Sequence, residues 1–140
     1  MTPNQIQLIR ETWQDVVPIA DTAAQLFYQR LFEIDPSTKS LFEKTDMARQ
    51  GAKLINALNL VVENIEQFDT LKPHLEELGR RHERYGVEDH HYESVGAALI
   101  MTLEQGLGPA FTAEAGTAWA SAYALVSNPM RCVSSEASGK

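Results

Sequence analysis

Apolar side chains recur every three or four positions along most of this chain, the spacing that places them on one face of an α-helix. The first helix is predicted to begin at Thr2, with Pro3 in its first turn and Gln5 completing a capping box. Pro18 is expected to disturb the end of this helix, because proline lacks a backbone N–H and clashes with the preceding turn. The apolar stripe contains Ile6, Ile9, Trp13, Val16 and Ala20.

Further segments follow with the same spacing. A second helix is predicted over residues 21–34 and a short one over residues 35–42. Asp46, Asp89 and Thr112 are the predicted caps of later helices. The later stripes contain Met47, Leu54, Leu58, Val61, Val62 and Ile65, then Leu71, Leu75 and Leu78, then Tyr92, Val95, Leu99 and Leu103, and finally Ala115, Trp119, Ala122, Tyr123 and Val126. The sequence shows no alternating strand pattern, so the predicted fold class is all-α.

The length and the C-terminal segment suggest one domain with a tail. Pro129 is expected to end or kink the last helix, because it cannot continue the backbone hydrogen bonding. Residues 131–140 are mostly small and polar, which predicts a disordered tail. The remaining residues 1–130 have the length of a single domain, which leaves no room for a separate nucleotide-binding domain.

Charge and cysteine content narrow the class of function. The chain has 12 basic and 19 acidic side chains and a formal net charge of −7, which argues against nucleic acid or an anionic membrane surface as a partner. No apolar run reaches the roughly 18–20 residues of a membrane span, and no signal peptide opens the sequence. Cys132 is the only cysteine, which excludes an intrachain disulfide and fits a reducing compartment. A cytoplasmic domain is expected.

The sequence contains four histidines but none of the usual zinc or nucleotide signatures, such as a Cys-x-x-Cys pair, a His-Glu-x-x-His helix or a glycine-rich phosphate loop. His90 and His91 are adjacent, so on a helix their side chains point about 100° apart and make poor joint ligands. Their expected setting is a solvated helix start. His74 follows Pro73 in a first turn and is expected at the surface.

His82 differs from the other three histidines because it continues the apolar stripe of residues 71–78 and is expected to point towards the interior. A buried neutral imidazole needs partners for its ring nitrogens. One interpretation is a core histidine bonded to a backbone carbonyl. The other is a metal ligand, which is favoured by the neighbouring cations Arg80 and Arg81. A haem site needs one imidazole for the iron, apolar walls and positive groups near the propionates.

A second group of candidate residues lies upstream of that histidine. Gln50 and Leu54 are four residues apart and share a helix face, with Lys53 at its edge. Tyr28 and Phe42 are aromatic residues in predicted helices. Each of these residues is ordinary by itself, since surface glutamines and core aromatics need no function. Their joint occurrence favours a ligand site.

At these positions the sequence resembles the globins, and specifically the bacterial single-domain globins related to the haem domain of flavohaemoglobins. The resemblance covers about residues 5–127, and residues 78–87 are its most specific part. The matching stretches are residues 26–32, Asp35-Pro36, Leu41-Phe42, 50–54, 78–87, 92–99, Ala118-Trp119 and Ala122-Tyr123. The resemblance implies a globin fold, with helices packed around haem b.

The resemblance also implies roles for individual residues. His82 would be the proximal ligand of the haem iron. Tyr28 and Gln50 would line the distal side, where a diatomic gas binds, with Leu54 above the iron. Phe42 would stack on the porphyrin. The other haem contacts would be Lys53 and Arg81 at the propionate rim, and Val87, Tyr92, Val95 and Leu99 at the proximal side or edge.

The function implied by the resemblance is reversible binding of oxygen, nitric oxide or carbon monoxide at a five-coordinate or weakly six-coordinate iron. Oxygen on ferrous iron becomes a hydrogen-bond acceptor, and in a dry pocket a phenol and an amide can both donate to it. The enzymatic alternative is nitric oxide dioxygenation with an external reductase. A third possibility is a haem-free helical interaction domain. The fourth is a resting state in which Tyr28 or Gln50 binds the iron.

One departure from the family bears on the chemistry. Relatives of the flavohaemoglobin type carry a late glutamate that pairs with the proximal histidine and with a tyrosine, which Tyr92 matches. The position of that glutamate falls near Ser134, with only Glu136 nearby. Because an anionic partner makes the proximal imidazole more basic, its loss argues against peroxidase-like chemistry.

Overall fold

The computed structural model describes the backbone of residues 1–138 and the side chains of residues 1–131. Within that part of the chain there are six α-helices and no strands, which confirms the all-α prediction. The helices are α1 (Pro3–Val16), α2 (Ala20–Ile34), α3 (Met47–Glu63), α4 (Phe68–Arg84), α5 (Asp89–Leu107) and α6 (Ala113–Ser138). Short 3₁₀ segments occupy Val17–Ile19, Pro36–Phe42 and Gly108–Ala110. Among the described residues, none of these helices is both long and apolar enough to cross a bilayer.

Side-chain caps begin three of the helices where the sequence predicted them. Thr2 and Gln5 form a reciprocal capping box, in which the Thr2 hydroxyl accepts from the Gln5 N–H at 3.1 Å. Asp46 accepts from the first N–H groups of α3, and Thr112 accepts from the N–H of Ala115 in α6. These bonds satisfy backbone donors that have no partner inside the helix.

The predictions for Pro18 and Pro129 have different outcomes. Pro18 lies in the 3₁₀ segment between α1 and α2, so the predicted disturbance is confirmed. Pro129 does not end α6, which continues to Ser138, so the predicted helix end is wrong, whereas the alternative of a kink stays a prediction. The physical reason is that Ser127 and Met130 are buried on either side of it, and packing of α6 on α4 outweighs one lost hydrogen bond. Disorder of residues 131–140 stays a prediction, since their side chains from residue 132 onwards and the backbone of residues 139–140 lie outside the described part.

The buried apolar side chains form two clusters. The large cluster contains Ile9, Trp13, Val16, Ala23, Phe27, Tyr28, Leu31, Val62, Ile65, Ala98, Leu99, Leu103, Ala118, Trp119 and Ala122. The small cluster contains Leu71, Leu75, Tyr92 and Met130. In the helix packing, α2 lies on α3 and α5, whereas α4 lies on α6 and makes little contact with α3. The core is therefore divided between the helices that carry Tyr28 and Gln50 and the helix that carries His82.

Candidate functional site

His82 lies in the last turn of α4 and is half-buried. Its Nδ1 lies 2.8 Å from the carbonyl oxygen of Leu78, and since a carbonyl only accepts, Nδ1 carries the proton. Burial lowers the pKa of His82, and the bond to Leu78 opposes this only in part, so the ring is neutral at pH 7. No hydrogen bond among the described residues uses Nε2, which keeps its lone pair. A neutral imidazole of this tautomer is the form that binds iron.

The bond from His82 to Leu78 is compatible with both interpretations of this histidine. A core histidine satisfies its ring in this way, and a metal-binding histidine also donates its second N–H to a carbonyl or carboxylate.

Tyr28 of α2 and Gln50 of α3 are brought together by the structure. Tyr28 is 7% exposed, and Gln50 is half-buried. Burial raises the pKa of the Tyr28 hydroxyl, and its hydrogen bond with the Gln50 side chain lowers it in part. The hydroxyl therefore keeps its proton at neutral pH. The close approach of α3 to α2 depends on Gly51, where an added Cβ would lie 3.1 Å from the Cβ of Ala24.

Aromatic rings surround the Tyr28 phenol. The ring of Phe27 lies edge-on to it at a centroid distance of 5.0 Å, and that of Phe42 lies edge-on at 5.4 Å. Phe32 contacts both Tyr28 and Phe42, at 6.2 and 5.8 Å. Edge-to-face and tilted pairs at these distances are favourable. Leu54, half-buried, packs against the same large cluster.

The aromatic group reaches the turn that follows His82. Leu41 precedes Phe42, and its side chain would lie 3.6 Å from a Cβ placed at Gly86. Gly86 has a φ of 93°, which favours glycine, and this conformation lets the Val87 N–H donate to the His82 carbonyl at 3.0 Å. The phenol–amide pair and the histidine therefore border neighbouring parts of the same region.

Four apolar residues that the resemblance assigned to the proximal side or edge are divided by the structure. Tyr92 is a member of the small cluster, and Val87 packs against it. Leu99 is a member of the large cluster, and Val95 packs against that one. Residues of this set thus lie on both halves of the divided core.

Two candidate cations are exposed. Lys53 lies on α3, and Arg81 lies on α4 with its Nε 3.6 Å from a carboxylate oxygen of Glu77. Exposed cations at these positions would suit the propionates of a haem, which lie near solvent at its rim.

The residues present fit a haem group. Its needs are an imidazole with an available nitrogen, apolar walls and, on the gas side, hydrogen-bond donors. His82 could supply the first, and Tyr28 and Gln50 could supply the donors. The walls are supplied by apolar side chains that are only half-buried at the margins of the two clusters, among them Phe42, Leu54, Val87 and Val95.

A cation lies beside Tyr92 in the described part of the chain. The Arg131 guanidinium is 5.5 Å from the centre of the Tyr92 ring, and its Nε is 3.1 Å from an Asp89 carboxylate oxygen. The Tyr123 hydroxyl donates to the Tyr92 carbonyl at 2.5 Å. The side chains of Ser134 and Glu136, which bear on the missing glutamate, lie outside the described residues.

The predicted solvated helix start is confirmed for His90 and wrong for His91. His91 is 5% exposed, and its Nδ1 accepts from the Glu88 N–H at 2.8 Å, so Glu88 rather than Asp89 is the N-cap of α5. His90 is exposed, yet the two ring centroids are only 4.1 Å apart, and both rings lie beside Asp35. The rings converge because the capping bond turns His91 back over the first turn. The three-residue spacing of Glu88 and His91 was the available signal.

Comparisons with known proteins agree with this architecture. The globin family profile matches residues 25–130. The chain is 28% identical to a flavohemoprotein of Bacillus subtilis, an alignment that covers 88% of this chain and 31% of that protein, so it spans about a third of that relative's length. It is 27% identical to a neuroglobin of Danio rerio, over 88% of this chain and 86% of that one. The structure of a bacterial globin from Campylobacter jejuni is 25% identical and has a TM-score of 0.85, covering 99% of this chain and 100% of that one.

An all-helical fold with a divided core, a neutral histidine on one half and a buried phenol on the other is compatible with a helical haem-binding protein. The chain belongs to the globin family. Membership supports haem as the cofactor and haem-based binding of a diatomic gas such as oxygen as the class of function.

Proposed function

We propose that the protein binds haem b through His82 and reversibly holds oxygen beside Tyr28 and Gln50. The observation that carries this proposal is the buried Tyr28 hydroxyl, which burial keeps protonated and which lies against the Gln50 amide. Bound haem would supply an iron with one axial position open to a diatomic gas.

His82 contributes a fixed ring. Its Nδ1–H is committed to the Leu78 carbonyl, which sets both the tautomer and the plane of the imidazole. Burial keeps the ring neutral, so Nε2 is available as a ligand without first losing a proton.

Tyr28 and Gln50 contribute hydrogen-bond donors. Oxygen held in the distal pocket carries partial negative charge, and a phenolic O–H and an amide N–H both donate to such an acceptor more strongly in a dry site. The rings of Phe27, Phe32 and Phe42 confine the phenol, so the Tyr28 side chain loses little rotational freedom when its hydroxyl donates a hydrogen bond. We therefore expect slow oxygen release and high affinity.

Replacing the Tyr28 phenol tests the proposal. In Tyr28→Phe the ring stays but the donor is lost, and because a hydrogen bond to a charged acceptor is worth about 1.5–3 kcal/mol, we expect oxygen dissociation to speed up about tenfold or more. Stopped-flow replacement of oxygen by carbon monoxide measures the rate. Tyr85→Phe is the matched control, since Tyr85 is 67% exposed. An unchanged rate in Tyr28→Phe would contradict the proposed role.

The assignment of the iron ligand is tested separately by the visible spectrum. His82→Ala is expected to lose haem or change its colour, whereas His74→Ala, at an exposed position of the same helix, is expected to keep both. Purified wild-type protein that is colourless and takes up no haem would favour the haem-free interaction domain instead.

Nitric oxide dioxygenation with an external reductase is the second candidate. It is supported by the likeness to the Bacillus subtilis flavohemoprotein and by the same distal donors, Tyr28 and Gln50. Nitrate formation over many turnovers with a cellular reductase would favour this enzyme, and a single turnover would favour the oxygen binder. A ferric spectrum that shifts at high pH in wild type but not in Tyr28→Phe would identify Tyr28 as the resting ligand.

A cytoplasmic location and the lack of a nucleic-acid or membrane partner remain proposals. They are supported by the single cysteine and by the net charge of −7.

A further inference from the structure

A cluster of side chains that could bind a metal ion lies where the end of α2 meets the start of α5. Asp35, His90 and His91 each present one ligand atom there, and the three atoms lie within 4.8 Å of one another. None of these residues has a role in the proposed oxygen site. The three side chains differ in exposure: His91 is buried, Asp35 is half-buried and His90 is exposed, so a dissolved ion can reach the cluster from the His90 side.

The Asp35 carboxylate is held in place by serine hydroxyls. Ser37 Oγ donates to Oδ1 at 2.5 Å, and Ser94 Oγ donates to Oδ2 at 2.9 Å. The backbone N–H of Ser37 donates to Oδ1 as well, at 3.2 Å. Three donors into one carboxylate favour its ionised form and fix its orientation. Asp35 thus presents a preoriented anionic oxygen to α5.

His90 lies between two carboxylates. Its Nδ1 is 3.4 Å from Glu88 Oε2, and its Nε2 is 3.5 Å from Asp35 Oδ2. Each ring nitrogen of His90 therefore faces a carboxylate oxygen. A divalent cation between Nε2 and Asp35 Oδ2 would be bound by a nitrogen and an oxygen at once. Glu88 at Nδ1 is also the kind of carboxylate partner that orients a metal-binding histidine.

The separation of these two atoms suits a tetrahedral ion. For bonds of about 2.0–2.1 Å, the ligand atoms of a tetrahedral zinc site lie about 3.4 Å apart. The 3.5 Å between His90 Nε2 and Asp35 Oδ2 is close to that edge length. Two atoms of the cluster are therefore already at metal-binding distance from each other.

His91 is the third candidate ligand. Its Nε2 lies 3.3 Å from Ser37 Oγ, while its Nδ1 accepts from the Glu88 N–H. Because Nδ1 is the acceptor here, Nε2 carries the proton, and metal binding through Nε2 requires the other tautomer. That change gives up the capping bond, which weakens the site but leaves the other two ligands unaffected.

We propose that Asp35, His90 and His91 form a binding site for a divalent cation of the zinc type, with Glu88 orienting His90. Mixed nitrogen and oxygen ligands suit zinc better than calcium or magnesium, which prefer oxygen alone. Water completes the coordination on the exposed side. The bound ion links the end of α2 to the start of α5 and stabilises the fold by mass action.

Titration of the haem-loaded protein with Zn²⁺ tests this site, because haem then occupies His82. Calorimetry is expected to show one zinc per chain in the wild type. His90→Gln and Asp35→Asn are expected to weaken binding about tenfold or more, and Asp35→Asn keeps an oxygen that can cap the following turn. His74→Gln, which removes an exposed histidine elsewhere, is the matched control and is expected to bind zinc as the wild type does.

The absence of zinc binding in the wild type would overturn the proposal. Equal binding by the wild type and His90→Gln would overturn it too, since zinc would then sit elsewhere. X-ray absorption at the zinc edge of the loaded wild type is expected to show imidazole scattering from two histidines. A spectrum without imidazole would reject the ligand set. Oxygen release rates are measured separately, so failure here leaves the proposed oxygen site standing.

Discussion

The large and small clusters are built differently. The large cluster takes side chains from α1, α2, α3, α5 and α6 and includes two tryptophans, whose indole N–H groups donate to Thr12 and Asn59 at 2.8 Å. The small cluster has four buried members and depends on α4 lying against α6. That contact is set by the backbone, because an added Cβ at Gly79 would lie 2.7 Å from the backbone of Met130.

The two sides of the candidate site are therefore held by different means. The side that carries Tyr28 is stabilised by interlocking rings and polar bonds spread over many residues, so single changes are expected to be partly absorbed there. The side that carries His82 rests on one helix packed against another, where one added methyl group is expected to force the two helices apart.

Gly79→Ala is expected to have the largest effect. The added methyl meets backbone rather than a flexible side chain, so we expect a loss of about 2–3 kcal/mol in the free energy of unfolding, with weaker haem retention. Gly51→Ala on the other side meets only the Cβ of Ala24 at 3.1 Å, and the better helix propensity of alanine offsets part of that crowding. Denaturant unfolding of both variants measures the contrast. Equal losses would contradict the comparison.

The next prediction concerns the polar bonds of the large cluster. Thr12 accepts from the buried Trp119 indole, so Thr12→Val leaves that N–H without its partner and should cost about 1–2 kcal/mol in unfolding free energy. Thr102→Val is the matched control, because Thr102 is equally buried but only donates to the Ala98 carbonyl of its own helix. Similar losses in the two variants would show that the indole bond contributes little.

The His82 side and the Tyr28 side of the candidate site are also expected to lose stability at opposite ends of the pH range. The pKa of His82 is lowered from 6.5 by burial, so the unfolded chain takes up a proton that the folded chain refuses, and stability falls as pH drops below about 6.5. The pKa of Tyr28 is raised from 10.0, so stability is kept below pH 10 and falls above it. Each group contributes a slope of at most about 1.4 kcal/mol per pH unit.

The free energy of unfolding, measured across the pH range, tests the predictions for His82 and Tyr28. His82→Gln is expected to lessen the slope of the acid limb alone, and Tyr28→Phe that of the alkaline limb alone. Some alkaline slope remains in Tyr28→Phe, because burial also raises the pKa of Tyr123. Tyr85→Phe, which changes an exposed tyrosine, is expected to leave both limbs as they are. A steep acid limb that persists without His82 would assign acid sensitivity to other groups.

The smallest effect is expected from charges at the edge of the small cluster. Arg131 lies over the Tyr92 ring and pairs with Asp89, so Arg131→Gln should cost about 0.5–1 kcal/mol in unfolding free energy. Arg10→Gln breaks an ion pair with Glu66 whose two side chains are exposed, and it should cost less. Thermal unfolding of both variants at low and high salt measures the two losses. A larger loss for Arg10→Gln would reverse the expected order.

Much of the fold could be predicted because its signals are local. The capping box at Thr2 and the caps at Asp46 and Thr112 lie within three residues of the groups that they satisfy, and all three are confirmed. The predicted helix end at Pro129 was wrong because the deciding interaction there is not local. Proline by itself favours the end of a helix, but the packing of α6 against α4 keeps this helix continuous.

Helical period and residue type are properties of short segments. They are therefore enough to predict the all-helical class, the position of His82 on an apolar stripe and the presence of a phenol and an amide upstream. Which of these residues meet depends on the tertiary structure. The pairing of Tyr28 with Gln50, the contact of Gly79 with Met130 and the convergence of His90 and His91 on Asp35 depend on how helices cross. Those crossings are set by the summed packing of distant side chains, and no short stretch of sequence contains that information.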